Sequence, residues 1–130
     1  MLALTREWVE KAEGDFLTAQ REYRARNAPN YDAVSFHSQQ CVEKYLKALL
    51  QESNLVFGKT HDLAILLNHL LISRPAWSLD LPAMRTLSAY AVELRYPGNA
   101  ADKAMAKSAL ALCKEFRIKA RSELGLEIKN

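Results

Sequence analysis

Arg95 and Tyr96 stand directly before Pro97-Gly98. Proline lacks a backbone donor and disfavours helical geometry in the residue before it, while glycine tolerates positive φ, so the pair is held at a corner where a helix stops. A guanidinium there can neutralise a helix C-terminal dipole, pair with a carboxylate, or clamp a phosphate with its fork of donors. Tyr96 adds a stacking face. Two lysines, Lys44 and Lys47, share a polar stripe with Gln40 and Glu43, and His37 lies on the seam of that helix. The chemistry within reach of this set is nucleotide binding, with Arg95, Tyr96, Lys44, Lys47 and His61 around the phosphates and base. There is no glycine-rich phosphate loop, so such a site rests on side chains and binds weakly.

Each residue also has a plainer reading. Asp15 falls among Ala12, Phe16 and Ala19, where an unpaired carboxylate is costly, so an Asp15–Arg95 ion pair is expected. Glu43 precedes Lys47 by four residues in the favourable order for a surface ion pair. His61, next to Asp62 at a helix start, locks its loop by hydrogen bonding. Phe36 lies on the polar side of its helix, a placement that marks a subunit contact.

The elements that must position these residues are helices. Among 130 residues only four are Gly and four Pro, and they fall between long periodic segments. Thr5 is the expected cap of a first helix running to about Arg26, with Trp8, Ala12, Asp15/Phe16, Ala19 and Tyr23 on one face. Asn30 opens a second helix to about Ser53, whose buried arc is Val34, Ser38, Cys41, Val42, Tyr45, Ala48 and Leu49. Thr60 or Asp62 caps a third, "LAILLNHLL", closed by Ser73-Arg74-Pro75. Asp80 with Pro82 starts a fourth, which ends at the Arg-Tyr-Pro-Gly corner. Asn99 caps a fifth that runs to about Leu124, where Gly125 terminates it. Short connections between long helices predict an all-α, antiparallel up-and-down bundle of four to five helices in one domain, 1–130.

Composition narrows the partners. Eighteen basic and fifteen acidic residues leave a net charge of +3, too little by itself to argue for tight binding to a phosphate backbone. One local basic patch is expected on the fifth helix, where Lys103, Lys107, Lys114, Arg117 and Arg121 fall within about a quarter turn opposite the core face. It reads as a solvated face, with RNA or an acidic protein surface as the alternative. No stretch approaches the ~18 apolar residues of a membrane span, and the first residues lack a secretory h-region. Cys41 and Cys113 have no metal-ligand spacing and read as reduced, buried thiols of a cytoplasmic protein, with no metal or cofactor expected.

"WVEKAEGDFLTA", "SFHSQQCVEKYLKALL", "KTHDL" and "LRYPG", in that order, closely resemble the HEPN domain family across about Trp8 to Phe116. The resemblance implies a helical bundle, a homodimer, and pairing with a minimal nucleotidyltransferase in a two-component system, with a role in nucleotide binding. Many HEPN proteins are metal-independent ribonucleases carrying Arg, four to six residues, then His. Five to seven positions beyond Arg95 lie Ala100, Ala101 and Asp102, and the positions upstream of His37, His61 and His69 hold no arginine. Acid–base cleavage needs a group that exchanges protons near neutrality, and a guanidinium does not. The expected role is therefore a non-catalytic nucleotidyltransferase partner. The alternatives are a ribonuclease toxin with a displaced histidine, brought to Arg95 by folding, and a structural dimerisation module.

Overall fold

The computed structural model describes residues 1–128. Five α-helices follow one another: α1 (Ala3–Arg24), α2 (Tyr31–Glu52), α3 (Leu63–Leu70), α4 (Leu81–Glu93) and α5 (Lys103–Glu123), with a 3-10 turn over Pro75–Asp80 leading into α4. The described residues include no strand. Bonds between helix ends, Leu2 to Glu52 and Lys119 to Asp80, set α1 against α2 and α4 against α5 in opposite directions as expected, while the short α3 packs on both α2 and α4. The central helix is α2, which packs against the other four and most extensively against α1 and α5. Its side chains Val34, Cys41, Val42, Tyr45, Leu46 and Leu49 join Val9, Ala12, Phe16 and Ala19 of α1 and Ala106, Ala109, Cys113, Phe116 and Ala120 of α5 in one core.

Helix starts follow side-chain chemistry where a short polar residue precedes an apolar run. Asn30 Oδ1 accepts from Ala33 N–H, and Asp62 Oδ1 accepts from Ala64 and Ile65 N–H, so these two expected caps are present. Three others differ. The first helix begins at Ala3, and Thr5 is buried within it, donating to Glu52 Oε1 at the far end of α2. Leu2 N–H donates to the same oxygen, and these two bonds hold the Glu52 carboxyl below its ordinary value. Asp80 makes no capping bond, because the 3-10 turn already supplies the turn before α4; Asp80 pairs instead with Lys119 of α5. The cap of α5 is Asp102, whose Oδ1 accepts from Met105 N–H. Asn99 belongs to the preceding corner and donates through Nδ2 to Glu93 O.

The expected basic patch on α5 is divided. Lys103 and Lys107 are exposed and Lys114 is half-buried, but Arg117 is only 4% exposed. Its Nε and Nη2 donate to the two carboxylate oxygens of Glu13 at 2.8 and 2.7 Å. Arg121 reaches the same carboxylate and donates to Tyr45 Oη, which donates to Glu13 Oε2. Angular position on α5 placed the two arginines with the lysines, but α1 lies over that edge and supplies the acid. Arg117 also stacks its guanidinium over Phe16, 4.3 Å from the ring centre. Burial pushes the Glu13 carboxyl up, yet the bonds from Arg117 and Tyr45 and the two guanidinium charges outweigh it and leave it below its ordinary value. Burial, followed by the Glu13 bond, raises the Tyr45 hydroxyl.

This cluster ties α1, α2 and α5 together. Removing one partner leaves the other charge uncompensated, so Arg117→Ala should lower unfolding free energy by about 3 kcal/mol in chemical denaturation. Because the folded Glu13 value is depressed, its contribution is complete above the ordinary value of 4.5 and is lost as pH falls through the folded value. Acid unfolding of Glu13→Gln should therefore show a shallower fall in stability below about pH 4.5 than the parent protein.

Candidate functional site

Two polar clusters line the side of α2 that the other helices leave partly open. In the first, Asp15 of α1 is nearly buried and meets two residues of α2. His37 Nδ1 lies 2.7 Å from Asp15 Oδ1, and Lys44 Nζ donates to Asp15 Oδ2. An ionised carboxylate only accepts, so Nδ1 carries the proton, and Nε2 is left without a protein partner among the described residues. The expected Asp15–Arg95 pair is thus replaced. His37 and Lys44 are seven residues apart on one face of α2, opposite Asp15, whereas Arg95 sits on a separate corner.

In the second cluster, Glu43 is buried at the centre. It accepts from Lys47 Nζ at 3.2 Å and from His61 Nδ1 at 3.0 Å. Gln39 donates to the same carboxylate and to His61 O, which fastens the α2–α3 connection onto α2. The His61 side chain is 68% exposed, while that of Lys47 is 8% exposed and lies 5.4 Å from the centre of the Trp8 ring. The Glu43–Lys47 pair expected on the surface is therefore internal, and His61 locks its loop as its plainer reading requires.

Arg95 follows the last turn of α4. Leu94 and Arg95 continue the chain by backbone bonds to Tyr90 O and Val92 O, and Gly98 takes φ +92° to complete the reversal that Pro97 begins. The exposed Arg95 guanidinium has no ion pair or hydrogen bond among the described residues. It lines a cavity of about 250 Å³ with Asn30, Asp32, Phe36, His37, Ala91 and Leu94. Folding thus puts Arg95 and His37 on the wall of one cavity, His37 being a histidine not among the residues expected to bind a nucleotide. Tyr96 is 62% exposed and outside the cavity wall. Lys44 reaches this site only through Asp15, and Lys47 and His61 belong to the other cluster.

Phe36 forms the apolar wall of the cavity, 41% exposed and edge-to-face with His37 at 5.2 Å between ring centres. Asp32 Oδ1 accepts from Ala101 N–H, tying the α4–α5 connection to the start of α2 and keeping the Arg95 corner against it. A cavity lined by an unpaired guanidinium and by an imidazole whose Nδ1 is held by a carboxylate offers a phosphate a fork of donors and a ring nitrogen able to exchange a proton. No group of three or more His, Cys, Asp and Glu side chains among the described residues is arranged to hold a metal ion. The Cys41 thiol is raised by burial and then by its neighbour Cys113, which disfavours the thiolate a ligand or nucleophile needs.

The two clusters differ in what they support. Glu43→Ala leaves the Lys47 ammonium buried without its counter-charge and should cost about 3–5 kcal/mol of stability. His61→Ala removes one bond to the Glu43 carboxylate, which keeps Lys47, and should cost about 1 kcal/mol, both read by chemical denaturation.

No curated protein and no solved structure matches this chain. The HEPN domain model matches residues 5–122, which takes in all five helices but the first two residues of α1 and the last residue of α5. With that match over nearly its whole length, the chain belongs to the HEPN domain family.

Proposed function

We propose that this HEPN protein holds a nucleotide by its phosphate in the Arg95–His37 cavity and serves as the helical partner of a nucleotidyltransferase. The observation that carries the binding role is the unpaired Arg95 guanidinium. Every other arginine or lysine in the two clusters and in the Glu13 network is spent on a protein carboxylate, whereas Arg95 faces a cavity with its donors unused. A phosphate supplies the bidentate acceptor that such a fork matches. The partnership and self-association both rest on family membership.

A second reading, ribonuclease activity, is favoured by the position of His37. With Nδ1 bound to Asp15, Nε2 can take a proton from an RNA 2′-hydroxyl as its oxygen attacks the adjacent phosphorus. Arg95 would neutralise the charge on the phosphorane, and the imidazolium would return the proton to the departing 5′-oxygen.

Calorimetric titration with mononucleotides should give micromolar to millimolar binding that falls at least about tenfold in Arg95→Ala, with the fold retained by circular dichroism. Equal binding by parent and variant would sink the phosphate role of Arg95. Single-stranded RNA incubated in chelator should remain intact if the protein only binds. Cleavage to 2′,3′-cyclic ends, lost in both His37→Asn and Arg95→Ala, would replace the partner role with catalysis.

A further inference from the structure

Besides Arg95 and His37, the same cavity carries a feature that a phosphate site does not need. Asp32, an acid, and Asn30, a carboxamide, both line it, two residues apart at the start of α2. We infer that the cavity selects guanine, with Asp32 accepting from the base N1–H and 2-amino group and Asn30 donating its amide to O6. This inference rests on the nucleotide reading above and names the base.

The argument starts from charge. A carboxylate repels a phosphate, so in a cavity that takes both Asp32 and a nucleotide the acid must meet the donor-rich part of the ligand. Guanine alone among the four bases presents two adjacent donors on its Watson–Crick edge, with one acceptor, O6, next to them. Adenine and cytosine each offer one amino group beside an acceptor nitrogen, and uracil flanks its single N–H with two carbonyls. Asp32 can take both guanine donors in charge-assisted bonds, one on Oδ2 and the other on the second lone pair of Oδ1 beside the Ala101 bond.

Both side chains are held for this task by one end and free at the other. Asp32 Oδ1 is fixed by the Ala101 N–H at 2.6 Å, and Oδ2 has no partner among the described residues. Asn30 Oδ1 is fixed by the Ala33 N–H at 3.0 Å, which turns its amide nitrogen away from the helix and leaves that nitrogen without a partner. Donor and acceptor are thus displayed in a set order by the geometry that starts α2. The exposed Phe36 ring supplies the apolar surface on which a base can lie. The cavity is at the small end of ligand pockets, which suits one nucleotide unit rather than a longer chain.

The test is calorimetric titration of the folded protein with 5′-GMP, AMP, CMP and UMP, and with the dinucleotides GpA and ApA. GMP should bind about tenfold or more tightly than AMP. Asp32→Asn keeps the acceptor that Ala101 requires but replaces the second with a donor, the complement of adenine. It should abolish the guanine preference and raise AMP affinity. Asn30→Ser keeps a helix cap and removes the amide donor, and should weaken GMP several-fold. A preference seen with GMP assigns a free nucleotide, and one seen only with GpA assigns guanine carried in RNA; both carry the guanine reading. Equal affinity for all ligands, or a preference that survives Asp32→Asn, overturns it while leaving the phosphate site standing. Absence of binding by every ligand overturns the nucleotide reading as well.

Discussion

Placing α2 at the centre, with helices on most of its circumference, forces its polar side chains to find partners inside the protein. The acids that meet this demand come largely from α1. Glu13 and Asp15 are two residues apart, about 200° around the helix, and so they straddle α2. Glu13 reaches the Tyr45, Arg117 and Arg121 side, and Asp15 reaches the His37 and Lys44 side. A buried ion left alone would cost several kcal/mol, so neither acid is separable from its cations. Of the buried side-chain polar atoms described, only the Ser35 and Ser38 hydroxyls lack a partner.

These ion pairs are better understood as positioning devices than as a source of stability, because desolvation offsets most of the attraction within them. Asp15 sets which nitrogen of His37 carries a proton and holds the ring at the edge of the cavity. Glu43 does a different job with similar chemistry, fastening the α2–α3 connection through His61. Both clusters pair a carboxylate with an imidazole and an ammonium, but only the first lies on a cavity that also holds an unpaired arginine.

Much of the helical frame was legible because it depends on local chemistry. Asn30 and Asp62 cap helices through their own side chains, and a 3.6-residue period locates the buried faces. Errors arose where a distant segment decides. Thr5 resembles a cap but is captured by Glu52, and Arg117 and Arg121 share an angular sector with free lysines until α1 covers them. The Asp15 carboxylate on an apolar stripe correctly signalled a buried ion pair. Its partner differs from the expected Arg95 because the chain offers eighteen lysines and arginines besides its three histidines, and separations of 22 and 29 residues carry no local signature. The seven-residue spacing of His37 and Lys44, which puts both on one face, was the available signal.

Arg95 gains its freedom from the way its corner is built. At a helix end the last carbonyls lack intrahelical donors, and a nearby guanidinium is commonly drawn to them. Here Asn99 Nδ2 already donates to Glu93 O, and backbone N–H groups of Leu94, Arg95 and Tyr96 serve Tyr90, Val92 and Glu93. With those acceptors occupied and Asp15 bound to α2, the guanidinium makes no ion pair or hydrogen bond among the described residues. Because Ala101 N–H bonds to Asp32, the same corner is also kept against the start of α2, where His37 and Phe36 stand. An arginine on a corner held by backbone bonds, with its guanidinium unspent, gives up no protein partner on meeting a phosphate, which is the physical basis for proposing the ligand at this end of the bundle.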